Sequence, residues 1–404
     1  MEMKSCRLGD IAFITKLAGF EHTKYIQGNC VREKVDDTFI PLFIGKTIRD
    51  GKIDTNFDWY ISKKIADKLP RSFLKRKCLV LPYVGSLGDL AIFDASYEAL
   101  LGSNVAKIEL NQDCEFTEEF IYYFLKSPYG QSVLLKDEQG GIQKNITMES
   151  IRNVILPDIS VSNQKKITDV LSALDDKIAL NQQINRNLEE LARLIYDYWF
   201  VQFDFPDKNG KPYKTSGGKM VYNDQLKREI PEGWEVVKFE DFIEIGNGKD
   251  HSHLPSGEIP VYGSGGFMRG VTEYLFEGES VLFPRKGTLN NVMYKNEKFW
   301  TVDTMFYSRM KMPKTAIYVY YAAKKFDFTT MNTGTGVPSM TSIIIKALPI
   351  IRPPQAIIEK FDSVAQSFYR SMLKTEKEIA KLTTLRDQLL PLLMNGQVSV
   401  EKQP

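Results

Sequence analysis

The strings in this chain that could do chemistry each lack a residue their chemistry requires. Gly45-Lys46-Thr47 has the closing end of a phosphate-cradling loop, but position 40 is Ile where that loop needs its first Gly. Methyl transfer to adenine would call for an Asn/Asp-Pro-Pro-Tyr/Phe loop. The nearest strings, Ser127-Pro128-Tyr129 and Arg352-Pro353-Pro354-Gln355, do not combine the Asn or Asp with the aromatic. Gly246-Asn247-Gly248 alone suits a strand-end turn better than a methyl-donor site. Pro206-Asp207 is not followed by a Glu-x-Lys at suitable spacing, so a nuclease's acidic trio is not assembled. His251 and His253 have chelate spacing, but no Cys lies near them, and an exposed loop pair is the expected role. No catalytic residue and no metal ligand emerges. The chain reads as a binding and assembly protein.

Composition narrows the classes further. The 404 residues carry a formal net charge of +2, and a chain of this length holds about two to four domains. No apolar run approaches the ~18 residues of a membrane span, and the N-terminal residues lead into no signal-peptide core. Cys6, Cys30, Cys78 and Cys114 form no Cys-x-x-Cys pair and read as free thiols, so the expected location is a reducing cytoplasm. Lys63, Lys64, Lys68, Arg71, Lys75, Arg76 and Lys77 crowd the segment ahead of Leu79-Val80-Leu81. That run is either a solvated face or a contact to phosphate, whose charge density rewards clustered cations.

What the chain does carry is a duplication. Val80-Leu81-Pro82-Tyr83-Val84-Gly85-Ser86-Leu87 returns as Leu282-Phe283-Pro284-Arg285-Lys286-Gly287-Thr288-Leu289. Leu8-Gly9-Asp10-Ile11 is echoed by Phe239-Glu240-Asp241-Phe242, and Ile40-Pro41-Leu42-Phe43 by Ile259-Pro260-Val261-Tyr262. Gly141…Ile146-Thr147…Leu156-Pro157 is echoed by Gly336…Met340-Thr341…Leu348-Pro349. The period is near half the chain, far beyond the ~20–50 residues of a solenoid repeat. Two similar domains imply a protein that recognises two similar but non-identical things.

The elements that must position these motifs follow from periodicity. Residues 1–158 read as an α+β domain, with strands at Leu79–Leu81, Ala91–Phe93 and Asn104–Leu110 and a helix over Thr117–Lys126. Over 159–202, Ile167, Val170, Leu171, Leu174, Ile178, Ile184, Leu188, Leu191 and Ile195 recur at helical spacing, and the stripe drifts past Asn181 and Asn185 as a polar layer. Residues 203–233 are turn-rich and read as a crossover. A second α+β domain spans 234–350, a second long helix spans 351–396 with Pro391 kinking or ending it, and 397–404 form a tail. Two long striped helices on one chain most simply pair with each other.

The block Tyr196-Asp197-Tyr198-Trp199-Phe200-Val201-Gln202-Phe203-Asp204-Phe205-Pro206, with Ser216-Gly217-Gly218-Lys219-Met220 leading to Glu229-Ile230-Pro231-Glu232-Gly233-Trp234, resembles the central conserved region of type I restriction–modification specificity (S) subunits. The duplicated plan extends the resemblance over essentially the whole chain. It implies two target recognition domains, each meeting one half of a split, asymmetric DNA sequence, with half-sites about one helical turn, ~34 Å, apart. It also implies that the two helices pair as an antiparallel coiled coil. The implied partners are double-stranded DNA, two methyltransferase (M) subunits and restriction (R) subunits. S-adenosylmethionine, ATP and Mg are implied on those other subunits, with no cofactor on this one. The alternative is the recognition component of a related fused or type IIB-like methyltransferase–nuclease system.

Within that frame the Gly85 and Gly287 loops are the expected readers, since a fixed loop with unlike side chains suits unlike half-sites. Candidate DNA contacts are Tyr83 and Ser86 in the first domain and Arg285, Lys286, Thr288 and Asn290 in the second. Arg can bond guanine O6 and N7 in a bidentate way, and Gln143, Lys144 and Asn145 form a second loop with amides suited to adenine. Lys63, Lys64, Lys75 and Arg76 are the candidate phosphate contacts. Tyr196, Tyr198, Trp199 and Phe200 either seal the helices against the second domain or anchor an M subunit.

Overall fold

Alternation along each strand decides which core a residue enters. In a computed structural model, residues 6–136, 145–334, 336–398 and 400 are described. They form two compact units, residues 1–180 with 378–404 and residues 181–377.

In the first unit Ala12–Lys16, Val105–Leu110, Cys78–Pro82 and Ala91–Phe93 make an antiparallel sheet in that order. Cys78-Leu79-Val80-Leu81 is apolar throughout because both its faces are buried. Leu79 and Leu81 join a core with Phe120, Ile121 and Leu125 of the helix Glu118–Lys126. Cys78 and Val80 enter a second core with Phe43, Phe93 and Leu101. Thr117 caps that helix, its Oγ1 accepting the Phe120 N–H at 3.2 Å, and Glu118 and Glu119 complement the positive end of the helix dipole. A second sheet orders Tyr60–Ser62, Phe39–Phe43, Ala99–Leu101 and Phe73–Leu74, with Phe39–Phe43 and Ala99–Leu101 parallel.

The second unit repeats this logic in a six-stranded sheet ordered Ile243–Asn247, Met305–Met310, Phe276–Pro284, Met293–Thr301, Ser256–Gly263 and Gly266–Val271. Val281 and Phe283 join the core that contains the helix Ala316–Ala323, while Leu282 enters the other core with Val261 and Phe299. Phe283 thus does the work of Leu81, and Leu282 that of Val80. The parallel pairing recurs as well: Leu42 faces Leu100 and Phe43 faces Leu101 in one unit, and Val261 faces Trp300 and Tyr262 faces Thr301 in the other. The sequence echo is a structural repeat.

Each domain closes on a short antiparallel pair, Cys6–Arg7 with Ile155–Leu156 and Glu235–Lys238 with Pro349–Arg352. Long helices follow, Val161–Tyr196 and Gln355–Met394. In the first unit Arg386 donates to Asp175 at 2.8 Å and Lys177 faces Glu378 at 3.7 Å. In the second the Thr375 hydroxyl donates to Asn185, and the Tyr196 and Phe361 rings are 5.8 Å apart. Within each unit the numbering runs in opposite senses, so the helices pair antiparallel. Asn181, buried, and Asn185 form the expected polar layer.

Several details depart from the sequence expectations. Ile184 and Leu191, assigned to the pairing stripe, are exposed, whereas Ala192 and Tyr196 are buried. The helix turns every ~3.6 residues, so the buried face drifts away from a 3.5-residue seam. Pro391 does not end the helix Gln355–Met394, which runs three residues past it; the stop falls where Asn395-Gly396 predicts, with Gly396 at φ 67° and its N–H on the Leu393 carbonyl. The compact units cut through both helices instead of following the boundaries drawn at 158 and 350. Helix residues are core in each unit: Ile167, Leu171, Leu390 and Leu393 in the first, and Ala192, Phe361 and Ala365 in the second. The crossover is no loose connection either. Phe205 stacks on Tyr213 at 4.6 Å and on Trp234 at 4.9 Å, so this segment is folded into the second unit.

Candidate nucleic-acid interface

Each unit gathers the same segments around its duplicated glycine loop. Gly85 and Gly287 both take φ 90°, a conformation that a Cβ disfavours. The Tyr83 N–H donates to the Asn104 carbonyl at 3.0 Å, and the Ile146 N–H to the Tyr83 carbonyl at 2.9 Å. In the second unit the Arg285 N–H donates to Thr304 at 2.8 Å, and the Met340 N–H to the Arg285 carbonyl at 2.9 Å. Val84 bridges Asn145 and Lys286 bridges Ser339 at equivalent places. Behind these bridges Thr147 and Thr341 cap the short helices Met148–Arg152 and Ser342–Ala347. A further segment closes the cluster. A Cβ on Gly45 would lie 3.7 Å from the Val84 carbonyl, and one on Gly287 would lie 2.6 Å from Ser264 Oγ. Asn291 Nδ2 donates to the Ser264 carbonyl at 2.8 Å. Gly45-Lys46-Thr47, weighed as a phosphate loop, is a 3-10 turn in this cluster.

The backbone is therefore pinned while the side chains differ. Ser86, Arg285, Lys286, Thr288 and Asn290 are exposed, and Tyr83 and Asn145 are half-buried. Lys16 Nζ sits 4.2 Å from the centre of the Tyr83 ring, and burial pushes the Tyr83 phenol up, so it stays neutral and can donate a hydrogen bond. Asn290 has another task. Its Nδ2 donates to Asp327 at 2.8 Å and its Oδ1 accepts the Phe328 N–H at 2.7 Å, so its amide is committed to holding the neighbouring loop. Gln143 and Lys144 lie outside the described residues.

The basic run sits elsewhere. Lys75 and Arg76 precede the strand Cys78–Pro82 and Tyr83 follows it, so the run and the Gly85 loop occupy opposite ends of one strand, ~17 Å long. Its charges are also largely paired: Lys63 with Glu98 at 2.5 Å, Lys75 with Asp67 at 3.3 Å and Arg76 with Glu109 at 3.3 Å. Lys64 is exposed on the helix Lys63–Ala66.

The aromatic cluster of the central helix is mostly core. Tyr196 and Phe200 are buried against Tyr318 and Phe361, and Trp199 is half-buried with its ring 6.1 Å from Phe361. Tyr196 and Phe200 have no surface left for a partner, while Trp199 keeps part of its ring accessible and Tyr198 is 39% exposed. Of the histidine pair, His251 Nδ1 accepts from Arg269 Nε at 3.1 Å. Lys16, Ser264 and Ser339 were missed by sequence reasoning. The echo of Ile40-Pro41 by Ile259-Pro260 held part of the signal, because the turn after each strand ends in its own unit's cluster.

Duplicated α+β units, each with a pinned loop cluster of its own side-chain chemistry, and two antiparallel helices make a recognition and assembly protein. The family follows from comparison. Residues 2–190 and 231–383 match the type I restriction modification DNA specificity domain, and the chain belongs to that family. It is 28% identical over 314 residues to the type I restriction enzyme MjaIX specificity subunit of Methanocaldococcus jannaschii, covering 70% of each chain. It is 23% identical over 337 residues to the HindI specificity subunit of Haemophilus influenzae, covering 66% of this chain and 73% of that one. The crystal structure of a type I S subunit from M. genitalium shares the fold, with TM-score 0.59 and 15% identity, covering 100% of this chain and 97% of that chain.

Proposed function

We propose that this chain is the DNA sequence-specificity subunit of a type I restriction–modification complex. It reads an asymmetric bipartite target, one half with each recognition domain, and has no catalytic role of its own. One observation carries the proposal: the two loop clusters have the same pinned backbone and unlike side chains, Tyr83 against Arg285 and Val84 against Lys286. A rigid frame with exchangeable side chains suits two different half-sites, since base identity is read by side-chain hydrogen bonds in the major groove.

The helices supply assembly. Ile184, Leu191, Leu194 and Tyr198 are exposed at steps of seven, three and four residues, so they lie along one face of the central helix in the second unit. An apolar ridge of this kind suits a methyltransferase subunit, and a second one would dock on the helices beside the other domain. Restriction subunits would join through them. S-adenosylmethionine, ATP and Mg would be used on those subunits.

Mapping of modified bases in cells carrying this chain and its methyltransferase tests the function. A split target with two unlike halves is expected. A continuous palindrome, or labelling of DNA without sequence preference by the purified pair, would overturn it.

A further inference from the structure

Each unit places its most exposed phenylalanine beside its loop cluster. Among the described residues Phe20 is 72% and Phe267 is 66% exposed, against 43% for Phe13, which lies next to Lys75 and Arg76 at the far end of the sheet. Phe20 stands between Gly19 and His22, which border a shallow depression with Lys16, Tyr83 and Gly102. Phe267 follows the Ser264–Gly265 turn of the hairpin formed by Ser256–Gly263 and Gly266–Val271, the turn that touches Gly287 and Asn291. Isolated exposed apolar residues are common and need no explanation. Here two rings arrive at equivalent loop clusters by different routes, one after a sheet strand and one from a hairpin. Cβ positions on Gly265 and Gly266 meet open space, so the hairpin turn presents bare backbone beside Phe267.

The loop clusters that these two segments border carry Tyr83 and Arg285, side chains able to hydrogen-bond base edges. In the major groove, where arginine reads guanine, the apolar feature a ring can meet is the thymine 5-methyl group. Apolar wedges that unstack bases enter from the minor groove, whereas packing on a thymine methyl needs no unstacking. We infer that Phe20 and Phe267 are specificity-determining residues, each packing on a thymine methyl in its own half-site. This rests on the DNA-reading function proposed above and adds to it an apolar component of recognition.

The test uses the full chain purified with its methyltransferase, on duplexes in which each thymine of the mapped target is replaced singly by uracil. That change removes one methyl and keeps the pairing edge. Binding is expected to weaken about three- to fourfold at one or more positions in each half-site. Phe267→Ala should erase the thymine–uracil difference in the second domain's half-site only, and Phe20→Ala in the other. Both variants should keep the wild-type melting temperature, because the rings are exposed. Indifference of the wild-type complex to uracil at every position overturns the inference, as does equal weakening on thymine and uracil duplexes or loss of the methyltransferase from either variant. A wild-type complex that cannot tell its target from scrambled DNA instead overturns the DNA-reading function itself.

Discussion

Arg285 is held by its own N–H and carbonyl, so its side chain can be exchanged without moving the loop. Arg285→Ala should therefore relax selectivity at one position of one half-site by about 1–3 kcal/mol while thermal stability stays unchanged. Methylation profiles of the variant check this, and equal loss at both half-sites would contradict it. Asp362 on the C-terminal helix is a residue of a different kind. Its Oδ1 is buried without a hydrogen-bond partner, and burial, helped by the nearby Glu279 carboxylate, pushes its pKa up to about 6. A carboxyl whose folded pKa lies above its unfolded value holds a proton that unfolding releases. Stability therefore falls as pH rises through the folded pKa, and the cost is fully present above it. Asp362→Asn should raise stability by about 1–2 kcal/mol near pH 7.5, after allowance for solvent screening, and by little near pH 4. Denaturant titrations at both pH values decide this. An equal shift at both would show that the carboxyl does not titrate in this window.

The central helix has two apolar faces with opposite expected behaviour. Phe200 is buried among Tyr318, Phe361 and Trp234, with ring centroids 4.7, 5.2 and 6.1 Å away. Phe200→Ala should cost about 3–5 kcal/mol and broaden or abolish the unfolding transition of the second unit. Leu191 is 43% exposed on the other face. Leu191→Glu should leave the fold intact and weaken co-purification of the methyltransferase, because a charge would be desolvated in that interface. Co-elution and melting curves of the two variants separate the faces. If Leu191→Glu unfolds the chain, the ridge is core and not a docking surface.

Each recognition domain keeps its own core and its own loop cluster, with Phe283 and Leu282 standing where Leu81 and Val80 stand in the other. Specificity should therefore be modular. Replacing residues 234–350 with the matching domain of a relative should change one half of the DNA target and leave the other half as it was. Modified-base sequencing of cells carrying the chimaera reads this out directly. Simultaneous change of both halves would mean that the two domains do not recognise DNA independently.

Most of the architecture was legible in the sequence because it is written in local patterns. Short apolar runs punctuated by Gly and Pro gave the strands around Leu79–Leu81 and Ala91–Phe93, helical spacing gave both long helices, and the repeated Pro-x-x-Gly loops marked where the two domains correspond. The loop cluster was legible only in part. Gly85 and Gly287 stand out because a positive φ selects glycine locally, whereas Ser264 and Ser339 become neighbours of Gly287 and Lys286 only through strand pairing. Tertiary packing also decided which aromatic side chains are free. Tyr196, Tyr198, Trp199 and Phe200 are equivalent as a string, but the π-helical turn Asp197–Val201 that continues the helix points successive side chains in different directions, so one core takes Tyr196 and Phe200 and leaves Tyr198 to solvent. The basic run shows the same limit: sequence counts its cations, and only the fold supplies Glu98, Asp67 and Glu109 to neutralise them. Spacing along the chain fixes periodicity and backbone conformation, while burial and charge pairing depend on residues far away in sequence.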